Sequence, residues 1–239
     1  LNAITLTEVV KSFGPVRALD GLSLAIPQGT IYGILGPNGA GKTTAIRLIA
    51  GLLELDGGKI EILEERPRSV TSLMNIGYMP QALALYDELT VRENIAFFAA
   101  CYGQENGYTV DKAVEFVGLS DQSGRQVRTL SGGLQQRVSL GCAIAHEPRI
   151  LLLDEPTVGV DPSLRAQLWT RFREMAKMGT TILVSSHIMD EAERCDTLGL
   201  ILKGTLIEEG SVTEIRKRAG TLTLEQAVLK LVRDEAEDP

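Results

Sequence analysis

The stretch GPNGAGKTT (36–44) fits the pattern G-x-x-x-x-G-K-[ST] at every fixed position. The strand-like run GTIYGILG leads into it and TTAIRLIAGLL, read as a helix, leads out, which is the context this pattern requires. Glycines let successive N–H groups curl around phosphate oxygens, and a helix N-terminus adds favourable dipole charge. Gly36, Asn38, Gly39 and Gly41 would form that cradle. Lys42 would reach the β- and γ-phosphates of a nucleotide, and the Thr43 hydroxyl would hold Mg2+. Thr44 is expected to add a hydrogen bond near the α-phosphate. The competing reading is a glycine-rich turn with an incidental lysine. A full match with both flanks in place stands against it.

A second group of residues suits the same chemistry. Four apolar residues, Ile150 to Leu153, run directly into Asp154 and Glu155. Two acids closing a buried strand are costly unless they have partners. Asp154 can bind Mg2+ through water beside Thr43, because ligands of open α/β sheets gather at the carboxyl ends of strands. Glu155 can then polarise an attacking water as general base. DEP is also a good turn sequence, but the preceding ILLL and the phosphate loop disfavour a plain surface turn.

The third group is TLSGGLQQR (129–137), where a serine and two glycines open a helix-like run. Serine is a common helix cap, and capping alone would explain Ser131. It would not explain two glycines in a row. No N-K-x-D guanine signature occurs, which counts against a GTPase.

These groups need a scaffold. The 239 residues suffice for one large domain or a core with a subdomain. Apolar residues make up 44% and aromatics only 5%, so aliphatic side chains must fill the core. The net charge of −7 argues against nonspecific nucleic-acid binding. Two histidines, His146 and His187, argue against a His-rich metal site. Cys101, Cys142 and Cys195 are odd in number and far apart, and are expected to be buried free thiols in a reducing cytosol. The longest apolar runs fall far short of the roughly 18 residues of a membrane span. The sequence opens on Leu1 rather than Met, which reads as a trimmed start, and no signal peptide is visible.

AITLTEVV and LDGLSLAI alternate like strands around the turn FGPVR. GGKIEILEE, MNIGYMPQ, RILLLDEP, TTILVSS and TLGLILKG read as further strands. Thr90 to Glu93 has capping-box spacing and opens a helix to about Cys101. DKAVEFVGL, residues 163–177 and residues 188–195 read as helices, with Leu164, Leu168, Trp169 and Phe172 facing the core. The alternation implies an α/β fold with a largely parallel sheet covered by helices. An N-terminal antiparallel β subdomain precedes it, and a helical block over about 82–146 is inserted in it. A short C-terminal helical extension, 211–239, ends in an acidic tail expected to fray.

The order of these motifs resembles the ATP-binding cassette (ABC) family over essentially the whole chain. GPNGAGKTT looks like its Walker A, ILLLDEP its Walker B and LSGGLQQR its signature. Gln81 in YMPQ is similar to the Q-loop, Asp161 in VGVDP to the D-loop, His187 in VSSHIMDEAE to the H-loop, and Phe13 to the aromatic that stacks on adenine. Leu134 departs from the usual Gln of the signature, with Gln135 next, and TVGVD replaces the common S-A-L-D.

The resemblance implies a P-loop NTPase (RecA-like) core and a single ATPase domain over 1–239. It implies ATP and Mg2+ as cofactors, with Lys42, Glu155 and His187 catalytic, and Thr43, Gln81 and Asp154 at the metal. Ser131, Gly132, Gly133, Gln135 and Asp161 would meet the nucleotide held by a second ATPase subunit, most simply an identical one. A separate transmembrane permease would place the chain on the inner, cytoplasmic face of the membrane, without nucleic acid. LYDELTVRENIAFFAACYG and TLEQAVLKLV are most similar to bacterial drug and antibiotic exporter ATPases.

Other readings stand beside these. Packing on the core is the competing reading for Phe13, with adenine stacking favoured over it, and an ordinary polar loop residue is the competing reading for Gln81. His146 is expected to sit at a helix end, where an imidazole suits the dipole. Leu83, Leu85 and Tyr86 in ALALYDEL are either an exposed groove for the membrane partner or packing between the helical block and the core. A soluble ABC protein of repair or translation is the alternative function. The lack of a coiled-coil insert and of a second cassette counts against it. A pure binding module with a dead site is the other alternative, and the intact Lys42, Asp154, Glu155 and His187 count against that.

Overall fold

A computed structural model describes residues 1–104 and 106–237. The chain opens with a hairpin of β1 (Asn2–Phe13) and β2 (Val16–Pro27), turned at Gly14 and Pro15. β3 (Ile31–Leu35) is buried throughout and leads through the phosphate loop into α1 (Lys42–Ile49). That helix stops short of the expected Leu53, because Gly51 turns the backbone to a φ of 72°. β4 (Gly57–Ile62) then pairs with β1, giving an antiparallel sheet of order β2-β1-β4.

α2 (Val70–Met74) and β5 (Ile76–Met79) follow. Three helices come next: α3 (Val91–Cys101), α4 (Gly107–Phe116) and α5 (Gly132–Ile144). α3 starts on a full capping box, Thr90 with Glu93. The chain then alternates through β6 (Ile150–Asp154), α6 (Pro162–Lys177), β7 (Thr181–Ser186), a single turn α7 (Met189–Ala192), β8 (Thr197–Leu202) and β9 (Thr205–Gly210). It closes with α8 (Val212–Ala219) and α9 (Leu224–Glu237). Asp238 and Pro239 of the acidic tail lie outside the described residues.

The main sheet has order β5-β6-β7-β3-β8-β9, parallel except for β9. β5 and β6 are neighbours, so α3, α4 and α5 fill one long crossover between paired strands. Central parallel strands are covered on both faces and therefore read as continuous apolar runs. β6 shows the consequence. Leu151 and Leu153 pack with Ile95, Val117, Trp169 and Phe172 on one face. Ile150 and Leu152 pack with Ile4, Leu22, Ile46 and Ile49 on the other. Each fully buried aliphatic side chain contributes roughly 1.5–3 kcal/mol. Leu168, Trp169 and Phe172 are buried as expected, and Leu164 packs partly buried beside them.

Two expectations need correction. Cys142 is buried, but Cys101 is exposed, because it ends α3 on the side away from the core. His146 does follow the C-cap of α5, at a helix end as expected, but it does not serve the dipole as a cation. It is buried, stacked on Tyr102 at 3.6 Å, with Nε2 3.1 Å from the Ile76 carbonyl oxygen. Burial lowers its pKa to about 4, against the pull of that carbonyl, so the ring is neutral at pH 7.

Candidate nucleotide site

The carboxyl ends of β3, β6 and β7 meet at one edge of the sheet, with the N-terminus of α1 directly above. A cavity of about 400 Å3 opens there. Asn38, Gly39 and Gly41 of the loop, and Lys42, Thr43 and Thr44 of the first helical turn, line it. Phe13, Gln81, Glu155 and His187 complete its wall, together with Ala18. Residues scattered from 13 to 187 in sequence therefore share one cavity.

Gly41 caps α1 at a φ of 108°, and a Cβ there would lie 2.6 Å from the Ala18 carbonyl oxygen. The loop can follow this path only with glycine. The buried Lys42 ammonium donates to the Gly36 oxygen at 2.8 Å and to the Pro37 oxygen at 3.1 Å. Burial lowers its pKa, while Glu155 and Asp154 oppose that shift. The cation thus sits inside the loop, held by carbonyls that a phosphate oxygen can outcompete.

Asp154 is fully buried. Its Oδ1 accepts from Ser185 Oγ at 2.6 Å and from Thr43 Oγ1 at 3.1 Å. Its Oδ2 is buried with no hydrogen-bond partner among the described residues. Leaving a buried carboxylate oxygen unpaired is expensive, and a hard cation that takes oxygen ligands would satisfy it. The residues present therefore fit Mg2+.

Glu155 follows with a φ of 55°, a left-handed conformation uncommon for a side chain of this size. Its N–H donates to Ser185 Oγ at 3.1 Å. Its carboxylate meets Gln81 Nε2 at 3.1 Å through Oε2 and His187 Nδ1 at 3.2 Å through Oε1. Ser185 thus organises both acids, a role that no motif in the sequence marks. The serine pair ahead of His187 was its only trace.

Phe13 is 49% exposed at the end of β1, so it does not pack into the core. The Lys11 ammonium lies 5.5 Å from its ring centroid.

The remaining predicted residues stand apart. Ser131, Gly132, Gly133, Gln135 and Asp161 do not line this cavity. Ser131 occupies the N-cap position of α5, yet its side chain makes no capping hydrogen bond. A Cβ on Gly132 would meet open space, whereas one on Gly133 would lie 3.0 Å from the Gly159 oxygen. Gln135 Nε2 donates to the Val127 oxygen at 3.1 Å, and Asp161 caps α6 by accepting from the Leu164 N–H.

The ABC transporter family model matches residues 19–158 of this chain. The chain belongs to the ABC transporter family. Its relatives include the Escherichia coli K12 protein named "Probable multidrug ABC transporter ATP-binding protein YbhF", 37% identical over 98% of this chain and 42% of that protein. The Nod factor export ATP-binding protein I of Sinorhizobium fredii is 42% identical over 87% of this chain and 62% of its own length. The cassette thus spans less than two thirds of either relative. Among solved structures, a dimeric ATP-binding cassette in a post-hydrolysis state, bound to ADP and Pi, superposes with a TM-score of 0.81. It is 25% identical over 87% of this chain and 98% of that one.

A second cavity of this ABC cassette, about 580 Å3, lies between the helical block and the sheet. Leu85, Phe98, Tyr102 and His146 line it from the helical side, and Arg47 and Tyr78 from the other. The buried Asn94 holds the segment before α3 by accepting from the Tyr86 N–H at 2.9 Å and donating to the Tyr86 oxygen at 3.0 Å. Leu85 consequently packs on the core, while Leu83 and Tyr86 stay exposed. The Tyr86 ring meets the exposed Phe97 edge-on at 4.8 Å. No helix among the described residues is long and apolar enough to cross a membrane.

Proposed function

We propose that this cassette is the ATP-hydrolysing subunit of an ABC exporter, working as a head-to-tail dimer beneath a separate membrane-spanning permease. The observation that carries the reading is the junction at Glu155. One carboxylate, at the mouth of a phosphate loop, is held between Gln81 and His187.

In this reading Phe13 stacks on adenine and the loop N–H groups take the phosphates, with Asn38 and Thr44 among the contacts. Lys42 leaves the Gly36 and Pro37 oxygens for the γ-phosphate. Thr43, Asp154 and Gln81 would hold Mg2+, which when bound would supply charge neutralisation for the phosphates. Glu155 accepts the proton of the attacking water. His187 orients Glu155 and senses the γ-phosphate.

Ser131, Gly132 and Gly133 of the second subunit close the site. Their bare N–H groups and the N-terminus of α5 suit an anion. Asp161 and Gln135 approach the same interface. The uncommitted Ser131 side chain supports this, as does the dimeric solved relative bound to ADP and Pi.

The permease would rest against the groove of Leu85 and Phe98 and the exposed Leu83, Tyr86 and Phe97. That would keep the cassette at the inner face of the membrane. Export is supported by the relative named for Nod factor export. Gln81 sits between the catalytic carboxylate and the strand end that leads to this groove, a position from which nucleotide and movement can be linked.

The test is Mg-dependent ATPase activity of the purified chain, followed by Lys42→Ala. Loss of hydrolysis in the variant is expected. A variant as active as the parent would remove the reading.

A further inference from the structure

One buried carboxylate is unused by the site described above. Glu191 is 2% exposed and lies on α7, one helical turn after His187. Thr157 Oγ1 donates to its Oε1, and Ser186 Oγ donates to its Oε2 at 2.7 Å. Arg165 Nε, 3.6 Å from Oε1, has no hydrogen bond among the described residues, while Arg165 Nη2 donates to the Val160 oxygen at 3.3 Å. Ser186 Oγ also accepts from the Ile188 N–H at 3.0 Å.

These partners come from two loops. Thr157 and Val160 belong to the turn that follows Glu155, separated from it at the start only by Pro156. Ser186 and Ile188 flank His187 on either side. A single carboxylate therefore joins the loop that carries Glu155 to the loop that carries His187, below the point where their side chains meet at 3.2 Å.

We propose that Glu191 is a positioning residue that ties these two loops together and sets the approach of His187 to Glu155. The catalytic meaning of that approach rests on the function proposed above.

A plain packing role is a poor account of this residue. Burying a carboxylate costs free energy unless it is paired, and an apolar side chain would fill the same space more cheaply. Burial does raise the Glu191 pKa, opposed by Ser186 and Arg165. What the carboxylate provides is direction. Its two oxygens accept from hydroxyls on two different loops, and its charge lies beside Arg165, which also reaches the Val160 carbonyl. An apolar side chain has no means of fixing those hydroxyls relative to each other.

The chain contains only two histidines, which makes the test clean. Isotope-labelled histidine reports His187 at the tie and His146 as an internal control in its separate cavity. Glu191→Gln keeps the shape and removes the charge. Thr157→Val keeps the charge and removes one donor.

In nucleotide-free protein, the His187 imidazole peaks should move in both variants while the His146 peaks stay. With Mg-ATP, kcat should fall about tenfold or more in Glu191→Gln, because small misplacements of reacting groups are costly. The fall should be smaller in Thr157→Val. KM and nucleotide affinity should stay within about twofold, since no ligand contact is removed.

Unmoved His187 peaks in Thr157→Val, or kcat within about twofold of the parent in both variants, would overturn the proposal. If Glu191→Gln does not fold, both histidines will report it and Thr157→Val decides alone. If the parent chain hydrolyses no ATP, the functional reading fails, yet the histidine spectra still decide whether the tie exists.

Discussion

His187 Nδ1 lies 3.2 Å from Glu155 Oε1, although 32 positions separate the two residues along the chain. β6 and β7 are adjacent parallel strands, and each residue sits just past the end of its strand. The pairing of Asp154 with Ser185 in the ladder brings them level. Sheet register thus builds the contact, and the loops beyond the strands hold it.

Glu155→Gln should keep nucleotide binding and lose most hydrolysis. A positioned general base contributes about 10²–10⁴-fold, so the loss should fall in that range. The hydrogen bond from Gln81 can survive, so the loop should keep its path. A long-lived ATP-bound dimer should accumulate on size-exclusion chromatography. Hydrolysis at the parent rate would reassign the base.

Phe13→Ala should weaken ATP affinity and spare turnover at saturating ATP. The half-exposed ring costs little to remove from the fold. Stacking is typically worth ~1–3 kcal/mol per base, so the dissociation constant should rise roughly 5- to 150-fold. Equal loss in ground and transition states leaves kcat alone. Calorimetric titration with ATP checks this, and an unchanged dissociation constant would leave Phe13 without a ligand.

His146→Gln should flatten the acid side of the stability curve. The ring is neutral when folded, with its pKa pulled from 6.5 to about 4. Between those values the unfolded chain binds the extra proton, so stability falls as pH drops from about 6.5 to about 4. The full window corresponds to about 3 kcal/mol. Below about pH 4 the loss stops growing. Urea unfolding at several pH values should show the parent losing more stability than the variant across this window. Parallel losses would count against a buried neutral imidazole.

Lys42→Ala and Ser131→Arg should each be nearly inactive alone, and Ser131→Arg should still bind ATP. Mixed together they should regain activity, because one site of a mixed dimer combines an intact Lys42 with an intact Ser131. The regain should rise faster than linearly with total protein while dimerisation is weak. A cysteine placed beside Ser131 should cross-link to a photoreactive ATP held by a differently tagged subunit. Cross-links confined to the nucleotide's own chain would end the shared-site reading.

Much of this was legible in sequence because the motifs are local. The phosphate loop needs its glycines and lysine within a few residues, and β6 announces itself by four apolar residues before Asp154. Phe13, Gln81 and His187 lay far apart, and only the resemblance placed them together. What stayed illegible depends on register and packing. Ser185 matters because β6 and β7 pair with Asp154 opposite it, and a serine in a strand carries no such label. The sequence places His146 at a helix end, which holds, but not under the Tyr102 ring that covers it. Cys101 reads as a core thiol, but it sits on the outer side of the last turn of α3, whose inner side is taken by the buried Ala99.

Among the described residues the Ser131 side chain makes no capping hydrogen bond to its own helix, and a lone cassette gains nothing from it. On the shared-site reading, a cassette adrift on its own holds nucleotide but lacks the surface that completes the reaction. Two cassettes tethered to one membrane assembly would face each other at an effective concentration of about millimolar, whereas stray copies in dilute solution would seldom meet. Idle subunits would then leave the cell's ATP untouched, and consumption would begin only where there is cargo machinery to drive.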